Sequence, residues 1–207
     1  MNDETRDPIS DEARERARAI RAPTLETPRL VLHPLTLDDA PATQQLFPHW
    51  DVVRYLAANV PWPYPPDGAR VYYKYVALPA MERGDAWHWT LRRKSDAANL
   101  IGAIGVMTQH NLNRGFWLAP AWQRQGLMTE ACAAVNDFWF DVLGFPVLRA
   151  PKAVANAASR RMSEKQGMRV IAVEEHSFVS GRLPAEIWEL TREAWHARRA
   201  EFTRDSS

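Results

Sequence analysis

The chain has 207 residues, 46% hydrophobic and 25% charged, which suits one domain with a real core. Its 26 basic and 25 acidic residues leave a net charge of +1, which argues against a nucleic-acid partner. A lone cysteine excludes an internal disulfide, no Cys/His cluster has zinc spacing, and no apolar run reaches the roughly 18 residues of a membrane span. The polar N-terminus is not a secretory signal, so a cytoplasmic location is the simplest expectation. The nine tryptophans suit core packing as well as aromatic pockets.

Residues 1–22 are charged and poor in large apolar side chains. Ser10-Asp11-Glu12 has N-cap chemistry, and Glu12 with Arg16 is an i,i+4 pair. These predict a solvated helix over 11–21, ended by Pro23. Residues 29–35 read as the first strand. Thr36 and Asp39 have capping-box spacing before a helix that runs to about residue 47. A second short helix is expected over 51–58. The loop 59–68 holds four prolines, which stiffen it and present Trp62 and Tyr64. These two residues suit either a wall of an acceptor pocket or a rigid connector. A helix over 68–83 follows, then a hairpin of strands 86–93 and 100–107. Gly102 and Gly105 imply a close neighbour or ligand.

A short strand at 116–118 stops at Pro120, and the turn Gln123-Arg124-Gln125-Gly126 opens into a helix expected over 124–143. Met128, Ala131, Cys132, Val135, Trp139, Val142 and Leu143 recur at helical spacing as its buried face. The first N–H groups of such a helix lack internal partners and carry partial positive charge. Gly126 admits a bulky anion to the backbone, and Arg124 adds a permanent charge. The loop is therefore expected to hold a pyrophosphate. Gly144 and Pro146 end the helix. A strand over 147–154 is interrupted by Pro151. A second helix is capped by Asn156 and closed by Gly167. Strands over 169–179 and 184–191 and a basic tail complete the chain. The order gives a mixed α/β plan around a mostly antiparallel sheet. We expect an extension over 1–22, one domain over 23–200 and a flexible tail over 201–207.

Gln123-Arg124-Gln125-Gly126-Leu127-Met128 resembles the acyl-coenzyme A signature of the GNAT N-acetyltransferases, Arg/Gln-x-x-Gly-x-Gly/Ala. Thr129-Glu130-Ala131, the segment from Asn156 to Met168, the opening Thr27-Pro28-Arg29-Leu30 and the close from Trp188 to Trp195 resemble its RimJ/RimL-type branch, the ribosomal-protein N-terminal acetyltransferases. Two motifs about 30 residues apart, each at a predicted helix start, make the resemblance specific. It covers nearly all of 24–195. Met128 stands where the signature prefers Gly or Ala. Arg124 stands where related chains often have Gly. Gln166 replaces a usually apolar residue, for which the sequence offers no reason.

The resemblance implies a GNAT fold, an α+β arrangement of about six to seven strands flanked by helices with splayed central strands. It implies acetyl-coenzyme A (acetyl-CoA) as co-substrate and no metal. The acceptor is then a primary amine, either a protein N-terminus or a small molecule such as an antibiotic or polyamine. A non-catalytic acyl-CoA-binding module is the alternative, and a homodimer is left open. The backbone of Trp117 and Leu118 is expected to pair with the pantetheine arm. Gln123 to Thr129, including Leu127, would hold the pyrophosphate, with Asn156 touching the cofactor. Ser159 is expected near the leaving thiol, as a proton donor or as ordinary first-turn chemistry. Glu174, Glu175, His88 and His110 are base candidates that no motif separates, and His88 also joins Trp62 and Tyr64 as an acceptor-pocket candidate. An α-amino group has a pKa of about 7.7–8.0, so a strong base is unnecessary for it. Cys132 lies on the apolar face without a His partner, which favours core packing.

Overall fold

Eight strands form two sheets in the computed structural model, which describes residues 7–205, and every pairing in them is antiparallel. The first sheet runs in the order β1 (Leu25–Glu26), β2 (Leu30–Pro34), β3 (Ala86–Arg93), β4 (Asp96–Met107) and β5 (Arg114–Leu118). The second comprises β6 (Val147–Ala153), β7 (Arg169–Phe178) and β8 (Gly181–Thr191), with β8 in the middle. The strand beyond the expected seven is β1, a two-residue segment too short to show a period.

Alternation in β3 assigns its two faces. Trp87, Trp89 and Leu91 lie with Ile104 and Val106 in the main core. This core is covered by α1 (Asp11–Ala17) and by α6 (Leu127–Asp137), whose Leu127, Ala131, Cys132 and Val135 are buried there. The other face carries His88, Thr90, Ala103, Gly105 and Trp117. Above it lie α2 (Ala40–Leu46), α3 (Trp50–Val53), α4 (Gly68–Tyr72) and α5 (Leu78–Arg83). Leu35, Ala40, Ala69, Tyr73 and Ala77 form a second cluster on this side, and the Thr43 and Tyr73 hydroxyls share a 2.7 Å hydrogen bond. The capping box forms as spaced, since Thr36 N donates to the Asp39 carboxylate at 2.9 Å. Helix α7 (Ala157–Lys165) follows β6, and α8 (Arg192–Asp205) follows β8.

Several expected boundaries move, each for a local reason. Helix α1 is solvated on one side only, because Ile9, Ala13 and Ala17 are buried in the main core and form a narrow stripe at helical spacing, while Asp11, Glu12, Glu15 and Arg16 are exposed. Helix α3 ends at Val53, and the next residues bond to the end of β7, with Ala58 N donating to Ser177 O at 3.1 Å. Helix α6 begins at Leu127 because Arg124 (φ 62°) and Gly126 (φ 77°) are left-handed. Beyond Asp137 it passes into a π-helical segment, Phe138–Val142. The wider turn rotates the buried face. Phe138, Trp139 and Phe140 are therefore buried in succession, whereas Val142, expected inside, is 53% exposed. Helix α8 has no Gly or Pro to stop it and runs through 201–205, where a tail was expected. Residues 206–207 of that tail and residues 1–6 of the extension lie outside the described residues.

Ile9 tests the integration of the extension, since it is 2% exposed in the main core. Ile9→Ala is expected to cost about 2–4 kcal/mol in urea unfolding. An independently solvated extension would leave stability unchanged.

Candidate active site

The two sheets meet at β5 and β6 without a shared ladder. They are joined at one end, where Asn113 N donates to Arg149 O at 2.7 Å and Arg149 N donates to Asn113 Oδ1 at 2.8 Å. The backbone polar groups of Arg149 therefore face β5, and by the two-residue period those of Pro151 do too. Pro151 has no N–H, so the next rung toward β5 lacks its donor. A cleft of about 1440 Å³ passes through the gap, bordered by Phe116 to Leu118 on one side and Pro151 and Lys152 on the other.

A buried polar cluster secures the closed end. Arg114, 3% exposed, donates to Asn136 Oδ1 at 2.5 Å and to Gln166 Oε1 at 2.9 Å, and rests on Met168 Sδ at 3.6 Å. This explains Gln166: a buried guanidinium needs acceptors, and an apolar residue there would leave it one short. Beyond the gap, Arg149 and Arg169 share Glu189 at 2.8 and 2.7 Å. Burial pushes the Glu189 carboxyl up, but hydrogen bonds from both arginines and their charges bring it below its ordinary value.

At the open end the turn before α6 presents donors. Left-handed residues at 124 and 126 curl the backbone into a concave surface. The first bond of α6 runs from Glu130 N to Gly126 O at 3.1 Å, so the N–H groups of Leu127, Met128 and Thr129 have no intrahelical partner. The left-handed backbone favours a glycine at 126 independently of any ligand, although Arg124 adopts the same region two residues earlier. Two residues that the sequence reading left without a role brace this turn. Arg29 donates from Nη1 to Gln125 O at 2.9 Å and from Nε to Glu130 at 2.7 Å, and Glu130 also accepts from Arg29 N at 2.8 Å. Burial raises the Glu130 carboxyl, yet the bonds from Thr27 and Arg29 lower it below its usual range. Nothing local to either residue announces a contact made across the fold, beyond their presence in quoted motifs.

The cleft gathers most of the expected residues. Trp117, Leu118, Gln123, Arg124 and the stretch from Gly126 to Thr129 line it, as do Asn156 and Ser159. Gln125 does not: its side chain turns back to Ala121 O at 3.1 Å. Asn156 Oδ1 accepts from Ser159 N at 3.2 Å, so its carbonyl caps α7. On the far wall Phe47 sits edge-on to both Tyr64 (5.0 Å) and Trp117 (5.3 Å). Trp62, expected in that wall, instead packs on Trp50 at 5.5 Å outside the cleft lining, since its loop directs it to the surface. Burial, with Tyr72 nearby, pushes the Tyr64 hydroxyl up to about 12, so it remains a proton-bearing donor.

His88 lies in the floor, across Gly105: a Cβ there would be 2.0 Å from its Nδ1. The next residue in that row, Gly115, has nothing within 4 Å of where a Cβ would stand. Burial pushes the His88 imidazole down to about 4, so it is neutral near pH 7. His110 also borders the cleft. Glu174 and Glu175 do not, lying exposed on β7 with Glu174 bonded to His176 at 2.8 Å. Cys132 is fully buried in the core.

A split antiparallel sheet with a donor-rich turn at the split can take a long ligand with an anionic end, strand-like along the gap and held by its anion at the turn. Residues 29–169 match the model of the acetyltransferase (GNAT) domain. The chain is 30% identical over 149 residues to the uncharacterized N-acetyltransferase YoaA of Bacillus subtilis (strain 168), covering 70% of this chain and 82% of that protein. Its fold is similar to RimL, a ribosomal L7/L12 alpha-N-protein acetyltransferase in complex with coenzyme A (TM-score 0.70, 16% identity, 83% of this chain and 99% of that one). It is also similar to the ribosomal-protein-S5-alanine acetyltransferase of Vibrio fischeri (TM-score 0.71, 13% identity, 84% and 98%). The chain belongs to the GNAT family and is an acetyl-CoA-dependent acetyltransferase. Among the described residues no helix is long and apolar enough to cross a membrane.

Arg29 offers a test of the brace. Arg29→Ala is expected to weaken coenzyme A binding about tenfold in isothermal titration, a loss of about 1.4 kcal/mol. Unfolding stability should change by less than about 1 kcal/mol, because Arg29 is half exposed and such pairs contribute little.

Proposed function

We propose that the acetyl-CoA lies in the gap between β5 and β6 and that the acceptor is the α-amino group of a protein. The missing ladder carries this reading: the edge of β5 that faces β6 has no strand partner from Phe116 to Leu118, where, apart from Leu118 O, which accepts from Gln123 at 2.9 Å, its backbone can bond the amide-bearing pantetheine arm, whereas Trp117 pairs with Ala103 of β4. The N–H groups of Gly126 to Thr129 and the Arg124 charge face the pyrophosphate. Asn156 and Ser159 stand beside the thioester end, where the Ser159 hydroxyl donates a proton to the departing sulfur. The acceptor enters on the side of Tyr64 and His88. Direct attack needs only a neutral amine, and the modest pKa of an α-amino group supplies one near pH 8. His88, neutral and bordering the cleft, takes the proton released on attack as a weak base, since the burial that keeps it neutral also disfavours its imidazolium. RimL and the S5-alanine enzyme, which share this fold and are named for ribosomal-protein substrates, support a protein N-terminus as the acceptor.

Thiol release in the presence of short peptides, lysine, polyamines and aminoglycosides distinguishes the acceptors. Free peptide N-termini should react fastest, and a preference for a small-molecule amine would overturn the protein assignment. His88→Ala is expected to lower kcat/KM by about 10- to 100-fold, at the weak end of general-base effects, with coenzyme A affinity unchanged. An unchanged rate would remove His88 from the proton path.

A further inference from the structure

The chain has only four lysines against 22 arginines. Lys74, Lys94 and Lys165 are exposed, whereas Lys152 is 5% exposed. It lies on β6, one residue past Pro151, and lines the cleft. Its side chain shares a face with Leu148 and so points toward α6 and the core rather than toward Glu189. Its Nζ stands 5.3 Å from the Phe116 ring centroid, across the gap on β5. Among the described residues it has no hydrogen-bond or ion-pair partner, and its charged neighbour is another cation, Arg114. A desolvated lysine beside a second cation is the arrangement that converts an ammonium into a nucleophilic amine. Burial, reinforced by Arg114, pushes the Lys152 ammonium down to about 7. An arginine at the same place would stay charged.

We infer that Lys152 is itself acetylated by the acetyl-CoA held in the gap, an inference that rests on the reading of that gap as the cofactor slot. The Nζ lone pair attacks the thioester carbonyl, the N–C bond forms and the C–S bond breaks. The amine proton ends on the sulfur, giving acetyl-lysine and free coenzyme A. No oxidant or further reactant is required. An amide is a far poorer acyl donor than a thioester, so the acetyl group remains on the chain. Lys152 is thus a modification site and not a station in the catalytic cycle.

Incubating the whole protein with acetyl-CoA and no acceptor, followed by intact-mass and peptide mass spectrometry, tests the inference. One acetyl group per chain is expected on Lys152, ahead of the three exposed lysines, and the preference should vanish in urea. Lys152→Met should bind acetyl-CoA in isothermal titration yet acquire no early acetyl group. Peptide mapping of the unaltered protein decides the matter even where this variant fails to fold. Acetyl-CoA binding with Lys152 left unmodified, or modified no faster than the exposed lysines, would overturn the inference alone. Absence of binding would sink the slot reading and the inference together.

Discussion

A pairing that does not form governs this molecule. Two strands rich in apolar residues lie side by side, and the physical default is to zip them into one sheet. Two features prevent it. Asn113 spends its side chain on Arg149 N, a donor that a continuous ladder would have given to backbone, so the junction is a clip at one end. Pro151 then withholds the following donor. The clip alone would allow the strands to close, and the proline alone would not fix where they part. Together they define a fixed opening, and the cleft, the exposed backbone and the buried lysine all follow from it.

Holding the clip in place requires polar groups inside the core. Arg114, Asn136 and Gln166 come from β5, α6 and the end of α7, so their hydrogen bonds register the edge of the first sheet against these two helices. A purely apolar packing of equal volume would be at least as stable. It would not fix direction, because apolar contacts tolerate sliding, whereas a guanidinium with neutral acceptors does not. The cluster therefore sets the angle of the opening more than the stability of the chain. At the other end, the Arg29 and Glu130 contacts serve the same purpose for the turn before α6.

What could be read from the sequence was whatever local chemistry decides. The alternation of Ala86 to Arg93 gave that strand its limits and its two faces, and the Asn156 cap placed α7, because both signals lie within a few residues. The turn from Gln123 to Thr129 was legible for the same reason. Decisions made by distant residues were not legible. Val142 follows a helical period until the π-helical turn breaks it. The alanines of α1 are too small to signal a core face until the indoles of Trp87 and Trp89 are seen donating to Ile20 O and Pro23 O at 2.9 and 2.7 Å. Trp62 and Glu174 carry suitable chemistry but face away from the cleft, and nothing adjacent to them in the chain tells where they point.

The border of the gap has a further consequence, for solubility. A strand with unpaired backbone is a template for other strands, and proteins commonly guard such edges with proline and lysine. Here the exposed border of β6 is internal, lining a cleft, yet it carries that pair in succession, Pro151 and Lys152. A peptide segment reaching the gap would find one donor missing and an amine beneath it. The edge is shielded from invading chains, while a thin, flexible arm that needs few rungs can still enter.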